Sequence, residues 1–132
     1  MKQITSEWIG KAESDFATAQ RELAATVHPN YDAVCFHAQQ CIEKYLKAFL
    51  QEGEIPFPRT HDLSQLLTLA VSIESGWTSM AADLNVLSAF AVEYRYPGDS
   101  ADLDEATEAF QKCVGARNNH TRRAPFVARA HC

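Results

Sequence analysis

Four side chains between residues 36 and 47 have the types and spacing of a working surface. Phe36, Gln40, Glu43 and Lys47 recur at steps of four, three and four, so on a helix they share one stripe, opposite the apolar stripe of the same segment. That row reads in three ways. It is a face packed against a second subunit, a cleft wall where Gln40 and Lys47 meet a polar ligand, or a solvated face with Glu43 and Lys47 as an i,i+4 ion pair worth about 0.3–0.5 kcal/mol. Lys44 is a neighbouring cation on the same segment. Arg95 stands between Tyr94 and Tyr96, just before Pro97. A guanidinium there can fork onto a phosphate while a tyrosine ring stacks on a base; equally, it can satisfy the free carbonyls of a helix end. His61 and Asp62 fall in the first turn of a helix, where Asp62 suits the dipole and His61 either bonds locally or reaches an anion held by free N–H groups. His37 reads as a packed, hydrogen-bonded helix histidine. Nucleophile elbow, P-loop, zinc-ligand and dinucleotide patterns are missing from the sequence, so neither metal nor cofactor is expected.

The elements that must position these residues are helices. Trp8, Ile9, Ala12, Phe16, Ala19 and Leu23 recur at three and four residues, which predicts a first helix from a cap at Thr5 or Ser6 to about Ala25. Val27-His28-Pro29-Asn30 breaks it. A second helix then runs from Asn30 to about Glu52, with Tyr31, Val34, Cys35, Ala38, Ile42, Tyr45, Leu46 and Phe49 inward and Gly53 as its stop. Pro56 and Pro58 make the next stretch a loop. Thr60 is the predicted cap of a short third helix carrying Leu63, Leu66, Leu67 and Ala70, and a fourth spans about residues 78–94. Asp102 and Glu105 have capping-box spacing for a fifth helix, which Gly115 is expected to close. No segment alternates with a two-residue period, so the fold class is all-α, an up-and-down antiparallel bundle of four to five helices. Its expected extent is residues 1–114, with 115–132 as a poorly ordered basic tail.

The chain has 132 residues, 46% of them hydrophobic and 22% charged, the balance of one ordinary globular domain. No run approaches the roughly 20 apolar residues that cross a bilayer, and the N-terminus lacks a secretory pattern, so no membrane association and a cytoplasmic location are expected. The four cysteines, Cys35, Cys41, Cys113 and Cys132, form no CxxC pair and are expected to stay reduced, the first three as packing residues. Net charge is −5, unfavourable for a general polyanion binder. It is unevenly placed: residues 1–114 hold eight Lys/Arg against all 17 Asp/Glu, whereas the last 18 residues hold four arginines and no acid. That asymmetry fits either a nucleic-acid-binding tail or a solvated terminus.

Four segments, in order, resemble the HEPN family (higher eukaryotes and prokaryotes nucleotide-binding domain): Trp8–Phe16, Tyr31–Ala48 with its Gln40, Glu43, Lys44 and Lys47, Thr60-His61-Asp62-Leu63, and Arg95-Tyr96-Pro97. The resemblance implies a helical bundle that pairs as a homodimer, and a link to nucleotide or RNA chemistry. Many members are RNases of toxin–antitoxin or defence systems, many are encoded beside a minimal nucleotidyltransferase that acts as antitoxin, and others are non-catalytic binding modules. On that basis nucleotide or RNA binding falls to Gln40, Lys44, Lys47, His61, Arg95 and Tyr96, and the candidates for catalysis are Arg95 and His61. Catalytic members carry an arginine, four to six residues, then a histidine near the start of the last helix. This chain departs from that pattern. No histidine follows Arg95 until His120, Arg117 precedes His120 by only two intervening residues, and Arg21 and His28 match the spacing at the wrong end of the first helix. The departure leaves three readings: a binding protein partnered by a nucleotidyltransferase, a metal-independent endoribonuclease with a degenerate centre recruiting His61 or His120, or a non-catalytic interaction module docking through Phe36.

Overall fold

The computed structural model describes residues 1–94 and 96–123, and the backbone alone of Arg123. Five α-helices occupy Gln3–Ala24 (α1), Tyr31–Glu52 (α2), Leu63–Val71 (α3), Ala81–Glu93 (α4) and Leu103–Arg123 (α5), with a 3₁₀ segment at Ser75–Met80 before α4. Among the described residues there is no strand. The fold is the expected all-α bundle, and α2 is its hub, packed against α1, α3, α4 and α5.

Local chemistry explains most of the boundaries. Asn30 caps α2 by accepting from the Ala33 N–H at 3.0 Å, as its residue type predicts. Asp102 and Glu105 close a reciprocal capping box on α5: the Glu105 N–H donates to Asp102 at 2.8 Å and the Asp102 N–H to Glu105 at 3.1 Å. The α3 cap is Asp62, which accepts from the Ser64 N–H at 2.9 Å, rather than Thr60, which holds the Asp62 N–H at 3.1 Å. The expected fourth helix starts as the 3₁₀ segment, capped by Glu74 on Gly76.

The cap expected at Thr5 or Ser6 is absent because α1 begins earlier, at Gln3, without a side-chain cap. Thr5 is buried instead, and its hydroxyl donates to Glu52 at the far end of α2, at 2.9 Å. The Lys2 N–H donates to the same carboxylate oxygen at 2.9 Å. These bonds, the Lys2 N–H first, hold the Glu52 carboxyl below the usual glutamate range. A lowered folded-state pKa gives stability that is whole above the ordinary carboxyl range and lost as pH falls through the folded value below it. Glu52→Gln should therefore lower the melting temperature near pH 7 and by clearly less near pH 3. A gap of equal size at both pH values would show that the loss is one of shape and not of charge.

Two boundaries yield to packing. Helix α5 runs through Gly115 to Arg123, beyond the stop expected at that glycine. Gly115 lies on an open face, where an added Cβ would touch nothing. Its helix penalty of about 1 kcal/mol is outweighed because Ala116, Asn119 and His120 beyond it are buried. The second departure is α2, where Gln39, Glu43 and Lys47 are buried along with the predicted apolar stripe. Glu43 and Lys47 thus do not form a solvated face. The loop of residues 53–62 folds back over them, begun by Gly53 at the helix end and by Glu54, whose φ of 57° turns the chain in the left-handed region.

Cys35, Cys41 and Cys113 are free and buried, as expected of packing residues. Burial pushes the Cys35 thiol up to about 12, and it also raises Cys41, so both are poor nucleophiles.

Candidate functional site

The folded-back loop makes one wall of an open cleft of about 1040 Å³. The start of α1 (Ile4, Trp8) and the second half of α2 (Lys47, Gln51) form the rest, and Glu54 to His61 face them from the loop, the Glu54 carboxylate held by Lys2. Apolar rings and prolines (Trp8, Pro56, Phe57, Pro58) floor the cleft, while Lys47, Arg59 and His61 bring cationic or protonatable heads to it. Arg59 is exposed, and no carboxylate pairs with it among the described residues.

Glu43 organises the polar side of this cleft from beneath. Its side chain is 3% exposed and accepts from Lys47 Nζ at 3.2 Å and from His61 Nδ1 at 3.0 Å. Gln39 and Gln40 add weaker amide bonds at 3.5 and 3.4 Å. Gln39 also donates to the His61 carbonyl at 3.2 Å. His61 is therefore held by ring and backbone together, yet its side chain is 83% exposed: it covers the carboxylate with one edge and offers the rest outward. The Lys47 ammonium lies 5.4 Å from the centre of the Trp8 ring, a cation–π contact that keeps both side chains on the cleft.

Of the residues proposed from sequence, Gln40, Lys47 and His61 come together around Glu43. Lys44 does not join them. It turns to α1 and pairs with Asp15, whose other oxygen holds His37 Nδ1 at 2.7 Å. Tyr96 is 66% exposed and does not line the cleft. It follows the end of α4, where Tyr94 shares a hollow with Asp32 and Phe36, eleven residues of α2, or about 16 Å, from Lys47. Arg95 lies outside the described residues. Trp8 and Arg59 belong to the site and were not singled out by sequence. Trp8 reads as one more apolar member of the α1 stripe, and Arg59 as a loop cation whose only signal is that two prolines stiffen the chain just before it.

Arg117 and His120, assigned by sequence to the tail, are structural. Arg117 forks onto Glu13 with bonds of 2.7 and 2.6 Å and stacks 4.2 Å over the Phe16 ring. Its pKa is raised, chiefly by Glu13. The Tyr45 hydroxyl donates to the same carboxylate, and burial first, then Glu13, raises its pKa as well. His120 is fully buried, its ring 4.6 Å from Tyr45, 5.7 Å from Trp77 and 6.1 Å from Phe49. The signal was present: Ala106, Phe110, Cys113, Arg117 and His120 continue the α5 stripe at four, three, four and three residues.

The family model for the HEPN domain matches residues 5–115, most of the chain. The chain belongs to the HEPN family. The crystal structure of ST0689, an archaeal HEPN homologue, superposes with a TM-score of 0.64 at 23% identity, over 92% of this chain and 97% of that one; this likeness supports the fold. No curated protein matches the chain significantly. In this HEPN protein, Arg117 and His120 stand nearest to the last-helix arginine–histidine pattern and are engaged by Glu13 and by the aromatic core. Among the described residues, no group of three or more His, Cys, Asp or Glu is placed to hold a metal ion. No described helix is long and apolar enough to cross a membrane.

Proposed function

We propose that this HEPN protein binds a nucleotide, free or as part of RNA, in the cleft between α1, α2 and the loop of residues 53–62, and that it does so without cleaving it. The observation that carries this reading is the convergence of Trp8, Lys47, Arg59 and His61 on one open cavity. A base needs a flat apolar surface and a phosphate needs forked or mobile cations, and the cleft offers both. Lys47 and His61 are already bonded to Glu43, which leaves Arg59 as the cation most available to a phosphate. The burial of His120 and the Glu13–Arg117 pairing favour binding over hydrolysis, because neither group is presented to a substrate.

Trp8 supplies a built-in reporter. Titration with AMP, ATP or a short single-stranded RNA should change its emission saturably, and Arg59→Ala should weaken binding about tenfold, close to 1.4 kcal/mol. Unchanged emission and no measurable heat with any of the three would end the reading. Cleavage of labelled RNA in EDTA, lost in Arg95→Ala, would instead support the endoribonuclease alternative.

The proposal extends to a homodimer working with a separate nucleotidyltransferase of a toxin–antitoxin or defence type, in the cytoplasm. Family membership supports the partner. Phe36, Val92 and Tyr96, all exposed large hydrophobics, support pairing through the end of the bundle away from the cleft. Sedimentation of the wild type and Phe36→Asp tests the dimer, since a shift to monomer is expected only for the variant.

A further inference from the structure

On the face shared by α1 and α2, outside the cleft, a buried carboxylate holds a half-exposed histidine. Asp15 is 8% exposed, and its Oδ1 accepts from His37 Nδ1 at 2.7 Å. Its Oδ2 takes the ammonium of Lys44. The ring of His37 is also fixed in angle, with Phe36 edge-on at 5.2 Å and 82°. A carboxylate on Nδ1 sets the tautomer, so that the lone pair resides on Nε2. The His37 side chain is 29% exposed, and with Nδ1 engaged, Nε2 is the nitrogen left for solvent. Lys44 lies two helical turns beyond His37 on the same face of α2. An oriented, electron-rich imidazole with a cation beside it is the arrangement of an activated nitrogen nucleophile facing an anionic electrophile.

We infer that His37 is a phosphoryl-acceptor site, taking its phosphoryl group from a small acyl phosphate. The Nε2 lone pair attacks phosphorus in line. The N–P bond forms as the P–O bond to the acyl group breaks, and the bonding pair leaves with the carboxylate product. The Nδ1 proton stays in its bond to Asp15, whose negative charge balances the cationic phosphoimidazole, and Lys44, on the other oxygen of that carboxylate, is the cation beside the site. Water attack on phosphorus later releases inorganic phosphate and restores the ring. No electrons change hands, and the only co-reactant is the acyl phosphate. This inference is independent of the nucleotide reading, since it uses a different face.

The protein carries its own control in His28, which is exposed and pairs with no carboxylate among the described residues, whereas the His37 side chain is 29% exposed and bonded to Asp15. Full-length protein is incubated with acetyl phosphate, and acid-labile, alkali-stable label is mapped by peptide mass over time. If Asp15 activates the ring, His37 should label about tenfold faster than the more accessible His28. His37→Gln should remove that label, and Asp15→Asn should slow it by a similar factor. Labelling that follows exposure, with His28 ahead of His37, would overturn the inference, as would no label at His37. The comparison of sites within the wild type decides the matter even if Asp15→Asn fails to fold.

Discussion

Glu43→Ala should destabilise the protein by about 3 kcal/mol in urea unfolding, although it deletes a charged residue. Glu43 and Lys47 are 3% and 9% exposed at the side chain, with 3.2 Å between their charges. Removing the acid leaves an ammonium held below the cleft surface with only the Trp8 face as a partner, and breaking a buried pair from one side costs far more than an exposed pair is worth. The same change removes the acceptor for His61 Nδ1 and so frees the loop end that carries it. The double variant Glu43→Leu, Lys47→Met should recover most of the loss, because an apolar pair of similar volume needs no compensation. If the double variant is as unstable as Glu43→Ala alone, the Lys47 charge is not what makes the single change costly.

Trp77→Ala should cost about 3–5 kcal/mol, comparable to the entire stability of a marginal domain. Trp77 is 1% exposed, edge-on to Phe49 at 5.5 Å and 5.7 Å from His120. Its 3₁₀ segment supplies no strong helix of its own, so the ring carries the docking of that segment. Trp77→Phe should be much milder for two reasons. It keeps most of the packed area, and it removes an indole N–H that is buried with no hydrogen-bond partner among the described residues, a group that burdens the folded state. Urea unfolding of both variants tests this. Equal destabilisation by Ala and Phe would mean that the indole nitrogen, and not the ring area, matters at that position.

The fold was legible because its signals are local. The apolar stripes of α1, α2 and α3, the Asn30 cap and the Asp102–Glu105 box depend on residues within a few positions of one another. The candidate site was only partly legible, since its decisive event is the return of the loop of residues 53–62 over α2. That return covers Glu43 and Lys47 and brings Arg59 to the cavity, while Lys44 turns to α1 and Asp15. Spacing on one helix can place Gln40, Glu43 and Lys47 in a row, but it cannot say which side the rest of the chain will cover. The stop read at Gly115 failed for a related reason: the buried positions that hold α5 together lie beyond it. Lys44 and Tyr96 were chosen by their motifs, and motifs do not report that one faces Asp15 while the other stands at the far end of the bundle.

The central placement of α2 sets a contrast in time across the cleft. A helix enclosed by four others exchanges its amide hydrogens only when the whole molecule opens, whereas a loop held by a few side-chain bonds opens alone and often. The cleft thus joins the slowest-exchanging backbone of the protein, around residues 39–47, to some of its fastest, around residues 55–61. A ligand seated between them has nothing to add to the first, which is already protected to the limit of global stability. Its signature in hydrogen exchange should be one-sided, with deuterium uptake slowed along Ile55–His61 and unchanged along the facing helix.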